Sequence, residues 1–387
     1  MLVRELTHKS NQNIDFVMTH YPHLLQYSFS NTYFIKLLYS VFCKAQEIQT
    51  KTILTHTSNE SILLDSGQFL PSEIQQYIHM TRFELYTLHI YIRNACFEIK
   101  IYTLEKENIQ PMVYFIRFIL VLCSKEVELL DHYSLMFILT PFEKTSPVTL
   151  SSLEPKHVNS GYTYKKEIVI FRLEEVLKVC IHECFHLFCL DFNEVDIDFK
   201  PLLQPLFFVE SDYLLFESLC EFWARTINVA LFAFFMEKNT TYDDFERIVQ
   251  LNMNIERIYG LIQMKHFLSK FELSYEDLIR GNIKSYKENT NGICYYVIAP
   301  ILLFHYQQTM NWFIENNETM LQFTKTTRHV QLFYHFIKSV YKSDKFLKTL
   351  SMIKKYDIDH LSMAAFDIEL FLFKRSSRSG TRETAED

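Results

Sequence analysis

Six glycines are all that this chain of 387 residues has for tight turns and close backbone approaches. Nine prolines add little more. A turn-rich all-β fold needs many such residues, so their scarcity predicts long helices. No Gly-x-Gly or Gly-Lys-Ser/Thr string occurs, which excludes glycine-rich phosphate loops. The net charge is -7 and no Lys/Arg-rich block appears, so nothing marks a surface for nucleic acid or an anionic membrane. The most apolar runs are 111–123, 227–235 and 293–304. All are shorter than the roughly 18–20 residues that span a bilayer. The N-terminus lacks the apolar stretch of a secretory signal. Eight cysteines without a CxxC pair read as thiols rather than a disulfide framework. The expectation is a soluble intracellular protein, in the cytoplasm.

Element signals follow an order. Residues 1–80 read as mostly helical, with Ser72 placed to cap a helix over "EIQQYIHMTR". "FELYTLHIYI" and "CFEIKIYTL" alternate as two strands joined at Arg93-Asn94-Ala95. A helix over 110–130, a strand over 133–142, a loop over 143–156 and extended segments at 157–164 and 167–171 come next. A helix from about Leu173 to Leu190 precedes "KPLLQP", where two prolines should break the chain. Residues 211–373 read as helical and 374–387 as a polar, disordered tail. The fold class is α+β. The division is a helical segment (1–80), an α/β subdomain (81–200), a helical subdomain (201–373) and the tail.

Within the helix before "KPLLQP", "KVCIHECFHLFCL" places His182, Glu183 and His186 in an apolar run. Residues four apart share a helix face, so both imidazoles can point at one ion. Glu183 lies about 100° round the helix, badly placed as a ligand but well placed as a general base. This is the logic of HExxH: two zinc ligands and a base on one turn. The plain alternative is two histidines satisfied inside a helical core. Zinc on Cys180, Cys184 and the histidines is a further reading, but closed sites draw ligands from separated knuckles.

A catalytic zinc needs a third protein ligand. The metzincin continuation fails, because Cys189 and Phe192 stand where Gly and His belong. Downstream, "LFESLCEFWA" puts Glu217 and Glu221 four apart among apolar neighbours. Two buried carboxylates on one face demand positive charge opposite them. Glu217 is assigned as third ligand and Glu221 as acceptor for an imidazole N–H. Asp191, Asp196 and Asp198 are alternative ligands, and a Glu221–Arg225 pair is the plain reading of the second helix.

HECFH followed by Glu217-x-x-x-Glu221 resembles the gluzincin metallopeptidases, the thermolysin-like tribe, over roughly residues 83–235. The chain is also similar to uncharacterised metallopeptidases of large DNA viruses and intracellular parasites. Phe216 and Glu221 depart from the Asn and Asp usual in thermolysin. The resemblance implies a zincin-like domain followed by a helical subdomain, with one zinc on His182, His186 and Glu217 and with Glu183 as base. It implies a substrate-binding edge strand before the first zinc helix, where Asn159, Ser160 and Gly161 stand. It also implies an oxyanion donor from the helical half, for which Tyr295 and Tyr296 are the candidates. The expected activity is hydrolysis of a peptide or protein substrate. The alternative is a binding or scaffold protein of the same fold without peptidase activity.

Overall fold

The chain begins with helices and enters its sheet earlier than the sequence suggests. In the computed structural model, α1 (His8–His20) and α2 (Tyr33–Glu47) lead into β1 (Thr52–Glu60), then α3 (Ser72–Met80). β2 (Phe83–Ile92), β3 (Ala95–Thr103), α4 (Gln110–Ser124) and β4 (His132–Ile138) follow. A short α5 (Pro155–Val158), β5 (Gly161–Tyr164), β6 (Glu167–Ile170) and α6 (Val176–Leu187) complete this half. The rest is helical: α7 (Lys200–Phe207), α8 (Leu215–Phe235), α9 (Tyr242–Ser269), α10 (Tyr275–Arg280), α11 (Ala299–Phe304), α12 (Tyr306–Asn316), α13 (Thr327–Val340) and α14 (Asp344–Met352). The structure describes residues 5–30, 32–47, 52–62, 64, 69–146, 149, 151–236, 241–283, 286–354 and 358–371. The predicted tail from Lys374 lies outside them.

Three readings need correction. Residues 1–80 are not simply helical, because β1 pairs antiparallel with β2. Its sequence "TILTHTSNE" is polar and its side chains are largely exposed, so no apolar alternation marks it. Ser72 does not cap α3: it is the first helical residue, and the cap position falls to Pro71. The two prolines of "KPLLQP" do not break the chain either. Pro201 sits in the first turn of α7, where no amide donor is needed, and Pro205 removes one backbone bond inside it.

The six strands form one mixed sheet in the order β1-β2-β3-β4-β6-β5. β1, β2 and β3 are antiparallel, whereas β3, β4 and β6 run parallel. β5 turns back antiparallel on β6 and is left at the edge. Alternating side chains give the sheet two apolar faces. One packs under α3 through Ile74, Ile78, Phe83 and Phe171. The other meets α4 and α6 and is continuous with the core of the helical half. α8 is clamped between α6 and α9, and α1 and α2 also pack on α9. All eight cysteines are free thiols, and no helix among the described residues is long and apolar enough to cross a membrane.

Before α11 lies a π-turn, Cys294–Ile298. The sequence predicts a kink at Pro300, and the wider turn is the form that it takes. A proline ring clashes with the carbonyl four residues back, and looser winding relieves that clash.

His305 closes α11. Its Nδ1 lies 2.5 Å from Gln308 Oε1 and its Nε2 3.1 Å from Ser343 Oγ. Burial pushes its pKa down to about 4. Between the ordinary value near 6.5 and that value, the unfolded chain binds a proton that the folded one does not, so stability falls as pH drops. His305→Gln should shrink the loss of unfolding free energy between pH 7 and pH 5 by about 2 kcal/mol, read by urea unfolding at both. An unchanged difference would show that the ring is not held neutral.

Candidate metal centre

α6 carries His182 and His186 one turn apart, and α8 packs beside it with Glu217 in its own first turn. A carboxylate suits that position, because the helix N-terminus carries partial positive charge. The three side chains converge. His182 Nε2 lies 3.3 Å from His186 Nε2 and 3.0 Å from Glu217 Oε2, and His186 Nε2 lies 3.6 Å from the same oxygen. A tetrahedral ion with bonds of about 2.0–2.1 Å holds its ligands about 3.3–3.4 Å apart. The observed separations bracket that edge, so the donor set fits an ion of zinc's size and preference.

The outer nitrogens are also held. His182 Nδ1 lies 3.4 Å from Glu221 Oε2, and His186 Nδ1 donates to Asp191 Oδ2. A proton on each Nδ1 would leave both Nε2 lone pairs free for an ion at the centre. Asp191 reaches His186 through the way α6 ends. Leu190 N–H bonds Phe185 C=O at 2.8 Å and Cys189 N–H bonds His186 C=O at 3.0 Å, with Cys189 left-handed at φ 51°. This is a Schellman turn, which folds the chain back under its own last turn.

The electrostatics call for positive charge. Burial alone would raise the Glu217 carboxyl, but hydrogen bonds from both imidazoles hold it well below the usual range. Burial acts likewise on Glu221, yet the Lys178 ammonium and His182 bring it down to about 2. Burial disfavours a charged His182, and its bonds to Glu217 and Glu221 outweigh that and raise it. Burial likewise disfavours a charged His186, and Cys220 and Asp191 beside it outweigh that and raise it.

The other predicted residues divide clearly. Glu183 stays outside the triad, and its Oε2 accepts from Thr163 Oγ1 at 2.7 Å. Tyr295 donates its hydroxyl to Glu217 Oε2 at 2.9 Å. Tyr296 does not reach the site: it is buried and donates to the carbonyl of Leu361 at 2.6 Å. Glu221 pairs with Lys178 at 3.0 Å rather than with Arg225, which pairs with Glu256 at 2.5 Å. Asp196 and Asp198 line a neighbouring hollow, where Asp198 accepts from the amide of Lys200. Cys180 and Cys184 are buried in the core.

A cleft of about 970 Å³ opens onto the triad. Residues of β5, of α6 and of the start of α8 line it, together with residues 288–291 and Tyr295. Asn159, Ser160 and Gly161 line it. The Asn159 side chain is engaged, with Oδ1 accepting from Thr290 Oγ1 at 3.0 Å. Gly161 permits a close approach: a Cβ there would lie 3.0 Å from Val169 O and 3.1 Å from Val179 Cγ1. Sequence reasoning missed Thr163 and Lys178, and it weighed Asp191 only as a ligand. A lysine four residues before the first histidine and on its face was the one signal available for Lys178.

No protein-family model, no curated protein and no solved structure matches the chain.

Removing one partner of a buried ion pair strands the other charge. Lys178→Met should therefore cost about 3–5 kcal/mol of unfolding free energy in urea titrations. A loss under about 1 kcal/mol would mean that Glu221 finds its counter-charge elsewhere.

Proposed function

We propose that the protein is a zinc-dependent peptidase of the gluzincin kind, with a zincin-like arrangement of sheet, histidine helix and glutamate helix. The observation that carries the reading is the convergence of two imidazole nitrogens and one carboxylate oxygen in a cleft, with Glu183 beside them but not among them. His182, His186 and Glu217 would hold the zinc. When bound, zinc supplies a Lewis acid that acidifies water and polarises a carbonyl.

The chain's own residues supply the rest. Thr163 donates to Glu183 Oε2 and fixes the carboxylate against β5. The other oxygen is then the one that takes a proton from the attacking water and returns it to the leaving amine. Tyr295 lines the cleft, and burial together with the nearby Glu217 raises its pKa well above the ordinary value. A phenol that stays protonated is a donor for the substrate oxyanion. β5 is an edge strand of the described sheet, and Gly161, Tyr162 and Thr163 line the cleft, a placement that suits an extended peptide.

The first test is zinc per chain by elemental analysis, with peptide turnover on the same samples. Wild type and Glu183→Gln should each hold one zinc, while Glu217→Ala loses it and only wild type is active. Asp191→Asn should keep the stoichiometry but bind zinc about 10- to 100-fold more weakly in chelator competition. Wild type that binds no zinc after reconstitution overturns the reading. Zinc-loaded wild type that cleaves nothing leaves a metal-binding scaffold.

Tyr295→Phe should lower kcat by about 10²–10³-fold with little change in KM, whereas Tyr296→Phe should affect stability alone. Equal effects on kcat would remove Tyr295 from the chemistry.

A further inference from the structure

Tyr295 and Glu217 come from different elements, and their 2.9 Å contact needs both to be placed. Tyr295 stands in the π-turn and Glu217 in the first turn of α8. The π-turn is entered through residues 286–292. Leu153 N–H bonds Lys287 C=O at 2.9 Å and Asn289 N–H bonds Leu153 C=O at 2.8 Å, which fixes the backbone of that entry. Asn291 C=O then accepts from the amides of Cys294 and Tyr295, each at 3.0 Å, and helical winding begins.

One side chain holds this entry. Glu288 Oε2 accepts from the Ile293 amide at 3.1 Å, a donor that a first helical turn leaves without a carbonyl. The same oxygen accepts from Tyr286 Oη at 2.6 Å. The Tyr286 ring is buried against Phe267 of α9 and Phe271 just beyond it. Burial pushes the Glu288 carboxyl up to about 7, against bonds from Ser211, Tyr286 and the amides of Ile293 and Gly292. Gly292 shows how closely the carboxyl sits. A Cβ there would lie 2.8 Å from Glu288 Oε2 and 2.3 Å from Leu153 Cδ2, so only glycine lets the chain pass between them.

Ser211 belongs to the other element. Its Oγ accepts from the Tyr213 amide at 3.1 Å, in the turn that leads into α8, where Tyr213 is left-handed at φ 50°. The bond between Ser211 and Glu288 therefore ties the approach to α8 to the approach to the π-turn. Ile293 is two residues before Tyr295, and Ser211 is four before the first residue of α8. The carboxyl is a strut between the element that offers the phenol and the element that carries Glu217, and Tyr286 anchors it on the end of α9.

We propose that Glu288 is a positioning residue: the acceptor bonds of its carboxyl set the reach of the Tyr295 hydroxyl, and with it the donor that meets the substrate oxyanion. This rests on the peptidase reading above. It gives Glu288 a part in turnover that runs through Tyr295 alone, apart from the metal and the base.

The test is a double-mutant cycle on zinc-loaded full-length protein, read by peptide turnover. Glu288→Met fills the same space without an acceptor. It should lower kcat about 10- to 100-fold with little change in KM or zinc content. Glu288→Gln keeps an acceptor oxygen and should recover most of that loss. In a Tyr295→Phe background Glu288→Met should cost less than about twofold more, because the group it places is gone. A structural role alone would lower kcat alike in both backgrounds. A second readout needs neither metal nor turnover. In zinc-free protein with tyrosine labelled with carbon-13 at Cζ, the Tyr295 signal is the one missing from Tyr295→Phe. It should move in Glu288→Met and in Ser211→Ala, a milder change that serves if Glu288→Met does not fold. An unmoved Tyr295 signal, or equal losses in both backgrounds, overturns this inference alone. If zinc-loaded wild type leaves every peptide intact, the peptidase reading falls and takes this one with it.

Discussion

A carboxylate taken out of water costs several kcal/mol unless positive charge and donors meet it. This chain places Glu217, Glu221 and Asp191 around two imidazoles at the contact of α6 and α8. Each ring lies between an inner carboxylate oxygen and an outer one. That arrangement fixes the rotation of α6 against α8, because turning either helix would strand a charge in apolar surroundings. It also fixes the orientation of both rings.

The same constraint spreads outward. Glu221 needs Lys178, and the beginning of α6 has its own buried charges. Glu175 pairs with Lys144 and also accepts from the Ala364 amide at 2.6 Å. Glu174 pairs with Lys9 at 2.8 Å and accepts from Ser362 Oγ at 2.8 Å. Beyond α8, Glu256 takes Arg225 on one oxygen and the Ala365 amide on the other, at 2.9 Å. Buried pairs of this kind add little net stability, but breaking one is costly, so they specify position. Here they tie α1, the loop after β4, both site helices and α9 to one segment, residues 361–368.

How much of this was legible in the sequence depended on range. The β2–β3 hairpin, α4, α6 and α8 were readable because side-chain period reports local structure. The HExxH spacing and the Glu217/Glu221 pair were readable for the same reason, each being one turn of one helix. β1 was hidden because an exposed edge strand needs no apolar face. Asp191 was legible only as a possible ligand, and its place on His186 was hidden because its turn has Cys189 where a glycine would have announced it. Thr163 meets Glu183 only once β5 has packed on α6. Tyr295 and Tyr296 are adjacent, and only the π-turn and its packing decide which of them faces the cleft.

The segment at 361–368 bears on when the fold can be completed. Glu174, Glu175 and Glu256 receive donors from residues that leave the ribosome more than a hundred positions after them. Leu6 forms a bridge with Ile368, so the first described residues wait for the last as well. The sheet and the histidine helix can collapse early during synthesis, with Lys9, Lys144 and Arg225 already at hand, but their buried acids lack the remaining donors until residues 361–368 emerge. The surroundings of the centre are therefore complete only after residues 361–368 have been made. A nascent chain stalled short of residue 360 carries both histidines and both glutamates, but Glu174, Glu175 and Glu256 around them still lack the donors of this segment.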